Sequence, residues 1–368
     1  MNIWIDSKNA IFQNSGISQW LKTLLIGIAE DKRDNFTLIS PSQNKLPFPE
    51  LNFAHRLLPW LAFVPRRIST LIYDLFIFRS LARLNRPDLI FSPYFDVLMP
   101  KKIKSIITIH DLCFIEAADQ YSFLRRNYFV NLMKINLKRS SLIFTVSESS
   151  KKAIESFLGV ASEKIVVLPN ELDIDFKSYE PTEAEIAELR HNHELGTKLV
   201  LYTGGLENRK NIPRLLKALD ALYSADKKIQ LLISGSPNKR WLEMIGEKRL
   251  ASSQVSFLGF LKPTELKIAY SAVDAVIYPS LSEGFGRACI EAMNSGTTLI
   301  CSDLPVFREV SGDYATYFDP KDELSLRSSL DTVVNSTRTQ PKPQIHFKDV
   351  DTAKLFRSSI ELLIGKSL

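Results

Sequence analysis

Cysteine, histidine and long apolar runs are scarce in this sequence of 368 residues, and each scarcity excludes a class of protein. The three cysteines, Cys113, Cys289 and Cys301, have no Cys-x-x-Cys spacing, and the five histidines are scattered. There is therefore no disulfide or zinc signature, and we expect reduced, buried thiols. No stretch of 18 uncharged apolar residues is present, and Met1–Asp6 shows neither a basic region nor a cleavage site. We expect a protein of the cytoplasm.

Apolar residues make up 45% of the chain and charged residues 24%, so a chain of this length can build two cores. Short β-rich segments alternate with helical patterns, which is typical of parallel sheets with crossover helices. The predicted strands are Ile3–Ile5, Phe36–Ser40, Leu89–Ser92, Ser105–Ile109, Leu142–Val146, Ile165–Leu168, Leu199–Tyr202, Ile229–Ser234, Val255–Leu258, Ala275–Tyr278, Thr298–Cys301 and Ala315–Phe318. The sequence predicts an α/β protein with two doubly wound parallel sheets.

Two stretches rich in helix breakers and polar residues interrupt the alternation. Glu171–Thr197, with Pro181 and a short charged helix, reads as a linker, and Thr337–Pro343 precedes a last helix from about Val350 to Gly365. We predict an N-terminal domain over residues 1–172, a C-terminal domain over 173–349 and a helical segment over 350–368.

Positive charge is concentrated in the first half of the chain. Residues 1–170 contain 22 Lys and Arg against 14 Asp and Glu, which leaves 25 against 27 for the remainder of the totals of 47 and 41. Within residues 55–86, six arginines alternate with apolar and aromatic residues and meet a single acid, Asp74. For Leu71–Phe78 we favour a core helix with arginines on its wet face. For Trp60–Arg67 the hypothesis is a contact with an anionic membrane, which liposome flotation of a variant with Arg66→Glu and Arg67→Glu tests. Nucleic acid is not a predicted partner because no binding motif accompanies the charge.

One block, Ser280–Gly296, is the most informative part of the chain. The apolar run before it predicts a strand, and the block itself predicts a glycine loop and then a helix that closes at Gly296. The first amides of such a helix attract anions, and Gly284 and Gly286 let an anion approach the backbone. Glu283 and Glu291 bracket this site and could bind hydroxyl groups. The implied ligand is a nucleotide sugar.

Strand-to-helix glycines also occur without a ligand, and two glutamates eight residues apart are often solvated. The whole string, however, resembles the Glu-x7-Glu signature of family 4 glycosyltransferases, which are retaining enzymes of the GT-B fold. The resemblance implies two Rossmann-like domains that face each other across a cleft, with acceptor bound by the first and nucleotide-sugar donor by the second. It also implies that the final helix packs back on the N-terminal domain.

A second loop follows the predicted strand Leu199–Tyr202. Arg209 offers a planar fork and Lys210 a compact charge, which are complementary ways to hold phosphate oxygens. Taken alone, such a pair before a helix is more often ordinary surface. In the family, the matching loop reads Gly-x-Leu-x-x-Arg-Lys-Asn, and the resemblance implies that Arg209 and Lys210 bind the donor diphosphate. Gly205 stands where many relatives have Arg or Thr, so one phosphate contact of those relatives is missing.

The first half offers two candidate groups at strand ends. Asn14-Ser15-Gly16 follows the first strand, and Gly16 could turn backbone amides toward a ligand, although a plain turn explains it equally well. His110 follows the strand Ser105–Ile109; a lone histidine is usually structural, but the family has His-Asp here, beside the transferred sugar. Pro169-Asn170-Glu171 departs from the family's Asn-Gly.

The resemblance assigns the remaining roles. Glu283 would contact hydroxyls of the transferred hexose and Glu291 those of the ribose, and the amides of Gly284, Phe285 and Gly286 would contact sugar and phosphate. Phe260 and Leu261, at the end of the segment 257–261, would meet the edge of the base. The predicted catalytic residues are His110, Lys210 and Glu283, and the anomeric configuration is expected to be retained.

No metal or other cofactor is predicted. Asp173-Ile-Asp175 and Asp349-Val-Asp351 imitate the Asp-x-Asp motif of glycosyltransferases of the single-sheet fold, but the first lies in the expected linker and the second at the start of the last helix. Arg209, Lys210 and a helix terminus are enough to neutralise a diphosphate. We therefore expect activity that survives EDTA.

The resemblance is closest to bacterial enzymes that build O-antigen, capsule and other surface polysaccharides. It favours GDP-mannose as donor and a glycan or lipid-linked saccharide as acceptor, while UDP-glucose, UDP-galactose or dTDP-rhamnose would leave the same motifs. Three alternatives stay open: a synthase or phosphorylase of soluble sugars, a nucleotide-sugar epimerase of the same fold, and a non-catalytic nucleotide-sugar-binding partner of a synthase complex.

Overall fold

The computed structural model describes residues 1–8, 16–29, 34–41, 53–58, 63, 65–116, 121–191, 197–225, 228–247, 254–336 and 351–365. The chain forms two compact units. Unit 1 comprises Met1–Glu171 with Asp349–Leu368, and unit 2 comprises Leu172–Lys348. Each unit is built on one parallel sheet, as the alternation of strands and helices predicts.

The sheet of unit 1 has seven strands in the order β3-β2-β1-β4-β5-β6-β7. Its central strands are continuous runs of buried apolar residues, because helices can cover both faces of a parallel sheet. The strands are β1 (Asn2–Asp6), β2 (Asn35–Ser40), β3 (Ala54–Leu57), β4 (Leu89–Ser92), β5 (Lys104–Thr108), β6 (Leu142–Thr145) and β7 (Ile165–Val167).

The helices of unit 1 pack on this sheet through buried apolar faces. They are α1 (Gly16–Ala29), α2 (Arg66–Ile72), α3 (Phe78–Asn85), α4 (Cys113–Glu116), α5 (Phe123–Arg139), α6 (Glu148–Leu158) and α15 (Thr352–Ile364). A π-helical segment, Tyr73–Ile77, joins α2 to α3. Ser147 caps α6 by accepting a hydrogen bond from the amide of Ser150.

The last helix, α15, belongs to unit 1 although it follows unit 2 in the chain. The ring of Phe356 is fully buried between Phe91 and Phe144, with ring centroids at 5.0 and 5.6 Å. The amide of Thr352 donates to Glu171 at 2.7 Å. The glutamate that replaces the family's glycine thus ties the start of α15 to unit 1.

Unit 2 has a sheet of six strands in the order β10-β9-β8-β11-β12-β13. Its strands are β8 (Lys198–Tyr202), β9 (Ile229–Ser234), β10 (Val255–Gly259), β11 (Ala275–Tyr278), β12 (Leu299–Ser302) and β13 (Ala315–Phe318). Its helices are α7 (Ile174–Ser178), α8 (Glu183–His191), α9 (Ile212–Tyr223), α10 (Lys239–Glu247), α11 (Pro263–Ala272), α12 (Arg287–Asn294), α13 (Pro305–Ser311) and α14 (Glu323–Asn335).

The structure differs from the sequence-based prediction at one edge strand and in the expected linker. The strand β3 at the edge of the first sheet is missing from the predicted set, because its four residues, Ala-His-Arg-Leu, carry no apolar alternation. The stretch 171–197 was expected to be a linker, but α7 and α8 pack against α11 within unit 2. Phe176 is buried there, and Arg190 donates to the carbonyl of Ala272 at 2.6 Å.

The three cysteines are unbonded and buried, as predicted. Of the hypothesised membrane segment Trp60–Arg67, only Phe63, Pro65 and the backbone of residues 66 and 67 fall within the described residues, and the Phe63 ring is 89% exposed. The helices that the structure describes include none that is both long and apolar enough to cross a membrane.

Candidate functional site

The candidate site of unit 2 lies where the order of strands in the sheet reverses. β8 and β11 are neighbours there, and the strands that follow each of them in sequence lie on opposite sides. The loops after such a pair diverge and leave a crevice beyond the strand ends, where open α/β sheets bind ligands. The Arg-Lys loop follows β8 and the Glu-Gly-Phe-Gly loop follows β11.

These two loops are joined to each other. The amide of Leu281 donates to the carbonyl of Arg209 at 2.7 Å. Residues Asn208–Lys210 form one turn of 3-10 helix, and Asn211 takes a left-handed conformation with φ of 58° before α9 begins. The side-chain amide of Asn211 donates to the carbonyl of Pro320 at 2.9 Å, which fixes this turn. Asn suits this conformation better than most non-glycine residues.

Glu283 pairs with both cations of the site. Lys210 Nζ lies 2.6 Å from Glu283 Oε1, and Arg209 Nη1 lies 2.8 Å from Glu283 Oε2. Ser280 Oγ donates to the same Oε1 at 2.7 Å. One carboxylate thus lies between two cations, and the cluster retains an excess positive charge.

The electrostatics of the cluster keep Glu283 ionised. Burial alone would raise the pKa of this carboxyl group, but the charges of Lys210 and Arg209 and the hydrogen bonds from Lys210 and Ser280 outweigh burial and lower the pKa to about 2. Glu283 is therefore an anion and a hydrogen-bond acceptor throughout the physiological pH range.

The start of α12 requires glycine. Gly286 has φ of 94°, and a Cβ atom there would lie 2.7 Å from the ring of Phe307. The helix runs from Arg287 to Asn294, so its N-terminus lies directly after the Glu-Gly-Phe-Gly loop. The side chain of Phe285 is buried. Only the backbone of Phe285 can therefore meet a ligand without rearrangement.

Glu291 is buried one turn into α12 and is held at both oxygens. Tyr270 Oη donates to Oε2 at 2.8 Å, and Arg287 Nε donates to Oε1 at 2.9 Å across one helical turn. Tyr270 is fully buried. The carboxylate is therefore held at one position by a rigid aromatic side chain.

A buried hydroxyl network extends from Glu291 to the end of β8. Tyr270 Oη lies 3.0 Å from Tyr278 Oη and 3.1 Å from Thr203 Oγ1, and Thr203 also bonds to Tyr278. Burial and the charge of Glu291 raise the pKa of both tyrosines, so the hydroxyls stay protonated. Thr203 is the residue directly after β8, and the network therefore links the two loops of the site beneath their surface.

The predicted base-contacting residues lie after β10. Gly259 ends this strand with φ of 72° and accepts a hydrogen bond from the amide of Gly235 at 2.6 Å. The side chain of Phe260 is 72% exposed and that of Leu261 is half-buried. An exposed phenyl ring costs free energy in water and is available to a planar ligand.

In unit 1, His110 lies two residues beyond β5 and is buried. Its Nε2 lies 2.8 Å from the carbonyl of Pro93, so this nitrogen carries the proton and Nδ1 is left as an acceptor. The edge of Trp20 meets the imidazole at 5.0 Å. Burial lowers the pKa of His110 and outweighs the opposing effects of Pro93 and Asp111. The imidazole is neutral at physiological pH.

Other predicted residues have a partial or different placement. Gly16 is exposed at the first position of α1, and residues 9–15, which carry the rest of its loop, lie outside the described residues. Asp173 and Asp351 each cap a helix by accepting a hydrogen bond from a backbone amide. Within the part of the chain that the structure describes, no group of three His, Cys, Asp or Glu residues could hold a metal ion.

Each half of the chain matches the model of a known protein family. Residues 15–176 match the model of "Glycosyltransferase Family 4" and residues 184–344 match "Glycosyl transferases group 1". The chain belongs to the family 4 glycosyltransferases.

One relative of this glycosyltransferase is the O-antigen chain mannosyltransferase RfbU of Salmonella typhimurium, which is 32% identical over 228 residues. The match covers 62% of this chain and 60% of RfbU, less than two thirds of the relative's length.

Solved structures with the same GT-B fold cover almost the whole chain. Sucrose-phosphate synthase of Thermosynechococcus elongatus has a TM-score of 0.76 at 17% identity, over 99% of both chains. HepE of Anabaena, determined in complex with UDP and glucose, has a TM-score of 0.70 at 18% identity, over 98% of this chain and 99% of that one. At this level of identity the likeness shows the fold.

The glycosyltransferase also contains residues around its site that sequence reasoning missed. The i, i+4 spacing of Arg287 and Glu291 could have revealed the first partner of Glu291. No local sequence pattern predicts Tyr270 or Thr203 as part of the site. Tyr270 bonds to Glu291, and Thr203 bonds to Tyr270, only because tertiary packing brings them together.

A second missed group is an ion cluster in unit 1, at the ends of β1 and β4. Lys8 Nζ pairs with Asp74 and lies 3.0 Å from Asp96 Oδ1. Asp6, the last residue of β1, accepts hydrogen bonds from Tyr73 at 2.9 Å and Ser92 at 3.3 Å. β1 and β4 are neighbours at the reversal of strand order in this sheet, so the cluster of unit 1 occupies the same topological position as the site of unit 2.

Proposed function

We propose that this protein is a hexosyltransferase that moves a sugar, with mannose favoured, from a nucleoside diphosphate to a glycan or lipid-linked acceptor with retention of configuration. The observation that carries the proposal is the cluster of Arg209, Lys210 and Glu283 beside the start of α12. Two cations lie there with a carboxylate, and the positive end of the α12 dipole follows three residues after Glu283. This is an arrangement that stabilises a departing diphosphate next to a polyhydroxylated group.

In the proposed reaction the donor diphosphate takes over the cations from Glu283. A diphosphate carries more negative charge than one carboxylate, so its attraction to Arg209 and Lys210 is stronger than that of Glu283. Glu283 is then free to turn toward the hexose and to accept hydrogen bonds from its hydroxyls. Its low pKa favours this role over that of a proton donor.

The other side chains hold the two ends of the donor. Glu291, fixed by Tyr270 and Arg287, accepts hydrogen bonds from the ribose hydroxyls, and the exposed ring of Phe260 with Leu261 meets the base. The amides of Gly284, Phe285 and Gly286 contact sugar and phosphate. His110 of unit 1, which is neutral and carries an acceptor at Nδ1, is the third proposed catalytic residue.

GDP-mannose is the favoured donor because RfbU is named as a mannosyltransferase, whereas the complex of HepE holds UDP and glucose. The same relative favours a role in O-antigen or related polysaccharide synthesis, and we propose that the protein acts at the cytoplasmic face of the inner membrane. No metal ion is part of the proposal, since Arg209, Lys210 and the start of α12 supply the positive charge.

A panel of nucleotides and nucleotide sugars tests the proposal. We expect the donor and its nucleoside diphosphate to raise the melting temperature, and radiolabelled sugar to pass to a lipid-linked or glycan acceptor in the presence of EDTA. Binding without transfer to any acceptor would favour a non-catalytic partner of a synthase. Transfer to free monosaccharides or sugar phosphates would favour a soluble-sugar synthase. If neither UDP, GDP nor dTDP compounds bind, the assignment of the site is wrong.

A further inference from the structure

Three hydroxyl groups of unit 2 form a triangle, and the number of their protons limits how they can bond. The groups are Tyr270 Oη, Tyr278 Oη and Thr203 Oγ1, and each lies within hydrogen-bonding distance of the other two. A fourth contact joins Tyr270 Oη to Glu291 Oε2 at 2.8 Å. Each hydroxyl has one proton to donate, so three protons serve four contacts.

The carboxylate decides where these protons point. Glu291, the ion-pair partner of Arg287, accepts the proton of Tyr270, so Tyr270 Oη must itself accept from a second hydroxyl. Thr203 and Tyr278 are in the closest contact of the three, and this contact also needs a proton. Two arrangements meet these conditions, and they differ in whether Thr203 or Tyr278 comes first. Each is a directed chain that runs through Tyr270 to Glu291, and donation along a chain strengthens the bond that follows.

The packing around Tyr270 keeps the last donor of this hydroxyl chain in place. Its ring is fully buried and meets the ring of Phe176 edge-on, with centroids at 5.7 Å and planes at 90°. Its carbonyl accepts a hydrogen bond from Thr297 Oγ1 at 2.7 Å. Phe176 belongs to α7, so the stretch that was expected to be a linker helps to position a residue of the candidate site.

The other two members of the hydroxyl chain lie at the ends of β8 and β11. Thr203 directly follows β8, and the residue before it, Tyr202, is fully buried and donates to the carbonyl of Gly205 at 2.7 Å. The ring of Tyr278, the last residue of β11, lies 6.0 Å from that of Tyr202. The hydroxyl chain therefore connects the ends of both strands to the carboxylate on α12.

Glu291 keeps acceptor capacity for a ligand. A carboxylate has about four acceptor positions. The described residues use one on each oxygen, since Tyr270 Oη donates to Oε2 and Arg287 Nε donates to Oε1. One position on each oxygen is left, which is the number that a pair of adjacent ribose hydroxyls requires.

We propose that Thr203, Tyr278 and Tyr270 are positioning residues that set the preference of the site for ribose over deoxyribose. The inference rests on the proposed function, in which Glu291 accepts hydrogen bonds from the ribose hydroxyls. The three residues act through Glu291, because a carboxylate that is already fixed loses less freedom when the ligand binds. Two phosphates separate the ribose from the bond that breaks, so the hydroxyl chain should affect the KM for the donor more than turnover.

Calorimetry of the full chain with GDP, UDP and their 2′-deoxy forms tests this inference. The readout is the ribose preference, which is the Kd of the deoxy form divided by that of the ribose form. Tyr270→Phe removes the donor to Glu291 and should lower the preference about fivefold, through weaker binding of the ribose form. Thr203→Val with Tyr278→Phe keeps that donor and should lower it about twofold to threefold. In donor kinetics, Tyr270→Phe should raise KM about fivefold and lower turnover less than about twofold.

Tyr314→Phe is the matched control, because it removes a hydroxyl that donates to the carbonyl of Thr297 at 2.9 Å and lies outside the hydroxyl chain. It should keep the ribose preference. Loss of the preference in Glu291→Gln, but in neither variant of the hydroxyl chain, would overturn this inference and leave the proposed function standing. Equal weakening of the ribose and deoxy forms in Tyr270→Phe would also overturn it, because the tyrosine would then only support the fold. If the unchanged protein does not distinguish the two forms, the proposed role of Glu291 is wrong as well.

Discussion

The two sheets each carry a buried ion cluster where their strand order reverses, but the charge balance of the two clusters is opposite. In unit 1 one cation, Lys8, forms ion pairs with Asp74 and Asp96 and lies near Asp6. In unit 2 one carboxylate, Glu283, serves two cations. The same topological position thus holds an excess of acid in one domain and an excess of positive charge in the other.

The pKa values follow this balance. In unit 1, burial and the charge of Asp96 outweigh the charge of Lys8, and they raise the pKa of Asp74 to about 8 and that of Asp6 to about 6. In unit 2 the two cations outweigh burial and lower the pKa of Glu283 to about 2. The comparison teaches that burial alone does not decide the charge state of a carboxyl group; the ratio of cations to carboxylates does. The first cluster thus raises the pKa values of its carboxyl groups, whereas the second lowers that of Glu283 and keeps a surplus of positive charge.

The largest expected effect is on the stability of unit 1. Lys8→Met removes the cation that lies among three carboxyl groups, of which Asp6 and Asp74 are buried, and we expect the free energy of unfolding at pH 8 to fall by about 3–5 kcal/mol. Denaturant unfolding measures the change, with Lys22→Met on α1 as control. A loss below about 1 kcal/mol would show that Lys8 is not the ion that holds the cluster together.

The corresponding change in unit 2 should affect catalysis. Lys210→Ala leaves the diphosphate without its compact cation, and we expect turnover to fall by about 10²–10³ while the fold is kept. Initial rates with the donor identified by thermal shift measure the effect. Lys217→Ala is the control. It removes an exposed ion pair between α9 and Glu323 of α14, and turnover should be nearly unchanged. Full activity of Lys210→Ala would refute the proposed role.

A change of the shared carboxylate separates binding from catalysis. Glu283→Gln frees Arg209 and Lys210 from their internal partner, so the nucleoside diphosphate should bind at least as tightly as before, while turnover falls about 10²-fold because the contact with the hexose is weakened. Calorimetry of the nucleoside diphosphate and initial rates test the two halves of this prediction. Glu323→Gln is the matched control. Weaker binding together with lower turnover would mean that Glu283 shapes the site rather than competing with the ligand.

The two clusters should also give stability opposite pH dependences. The pKa of Asp74 is higher in the folded protein than in the unfolded chain, so its contribution is fully present below about pH 4 and is lost as pH rises toward 8. The pKa of Glu283 is lower in the folded protein, so its contribution is present above about pH 4.5 and is lost as pH falls toward 2.

Thermal unfolding of two variants across these ranges tests both signs. Relative to Asp74→Asn, the unchanged protein should lose stability between about pH 4 and pH 8. Relative to Glu283→Gln, it should lose stability between about pH 4.5 and pH 2. Parallel curves for either pair would contradict the charge balance assigned to that cluster.

Much of the fold could be predicted from local patterns. The positions of twelve strands followed from short apolar runs between breakers. The edge strand β3 was missed because it lacks that pattern. The packing of α7 and α8 was missed because a polar sequence can still bury one anchor, Phe176, against a distant helix.

The sequence proposes members of the candidate site but not the bonds between them. The glycine loop and the Arg-Lys pair gave the location, and the structure describes Arg209, Lys210, Glu283 and Glu291 in unit 2 around two joined loops. No sequence pattern indicates that both cations bind Glu283. None indicates that Tyr270 donates a hydrogen bond to Glu291. The cluster of unit 1 was overlooked because Asp74 was read only as a lone acid among arginines.

By itself, the sequence of this protein determined where strands alternate with helices, where glycine allows an anion to reach the backbone, and which charged residues follow the strands, because these properties depend on neighbours along the chain. Only the tertiary structure decided which charges meet. Lys210 and Glu283 are separated by 73 positions and come within 2.6 Å because β8 and β11 are adjacent in the sheet. Electrostatic energy depends on distance in space and on burial, and both are set by strand order and packing.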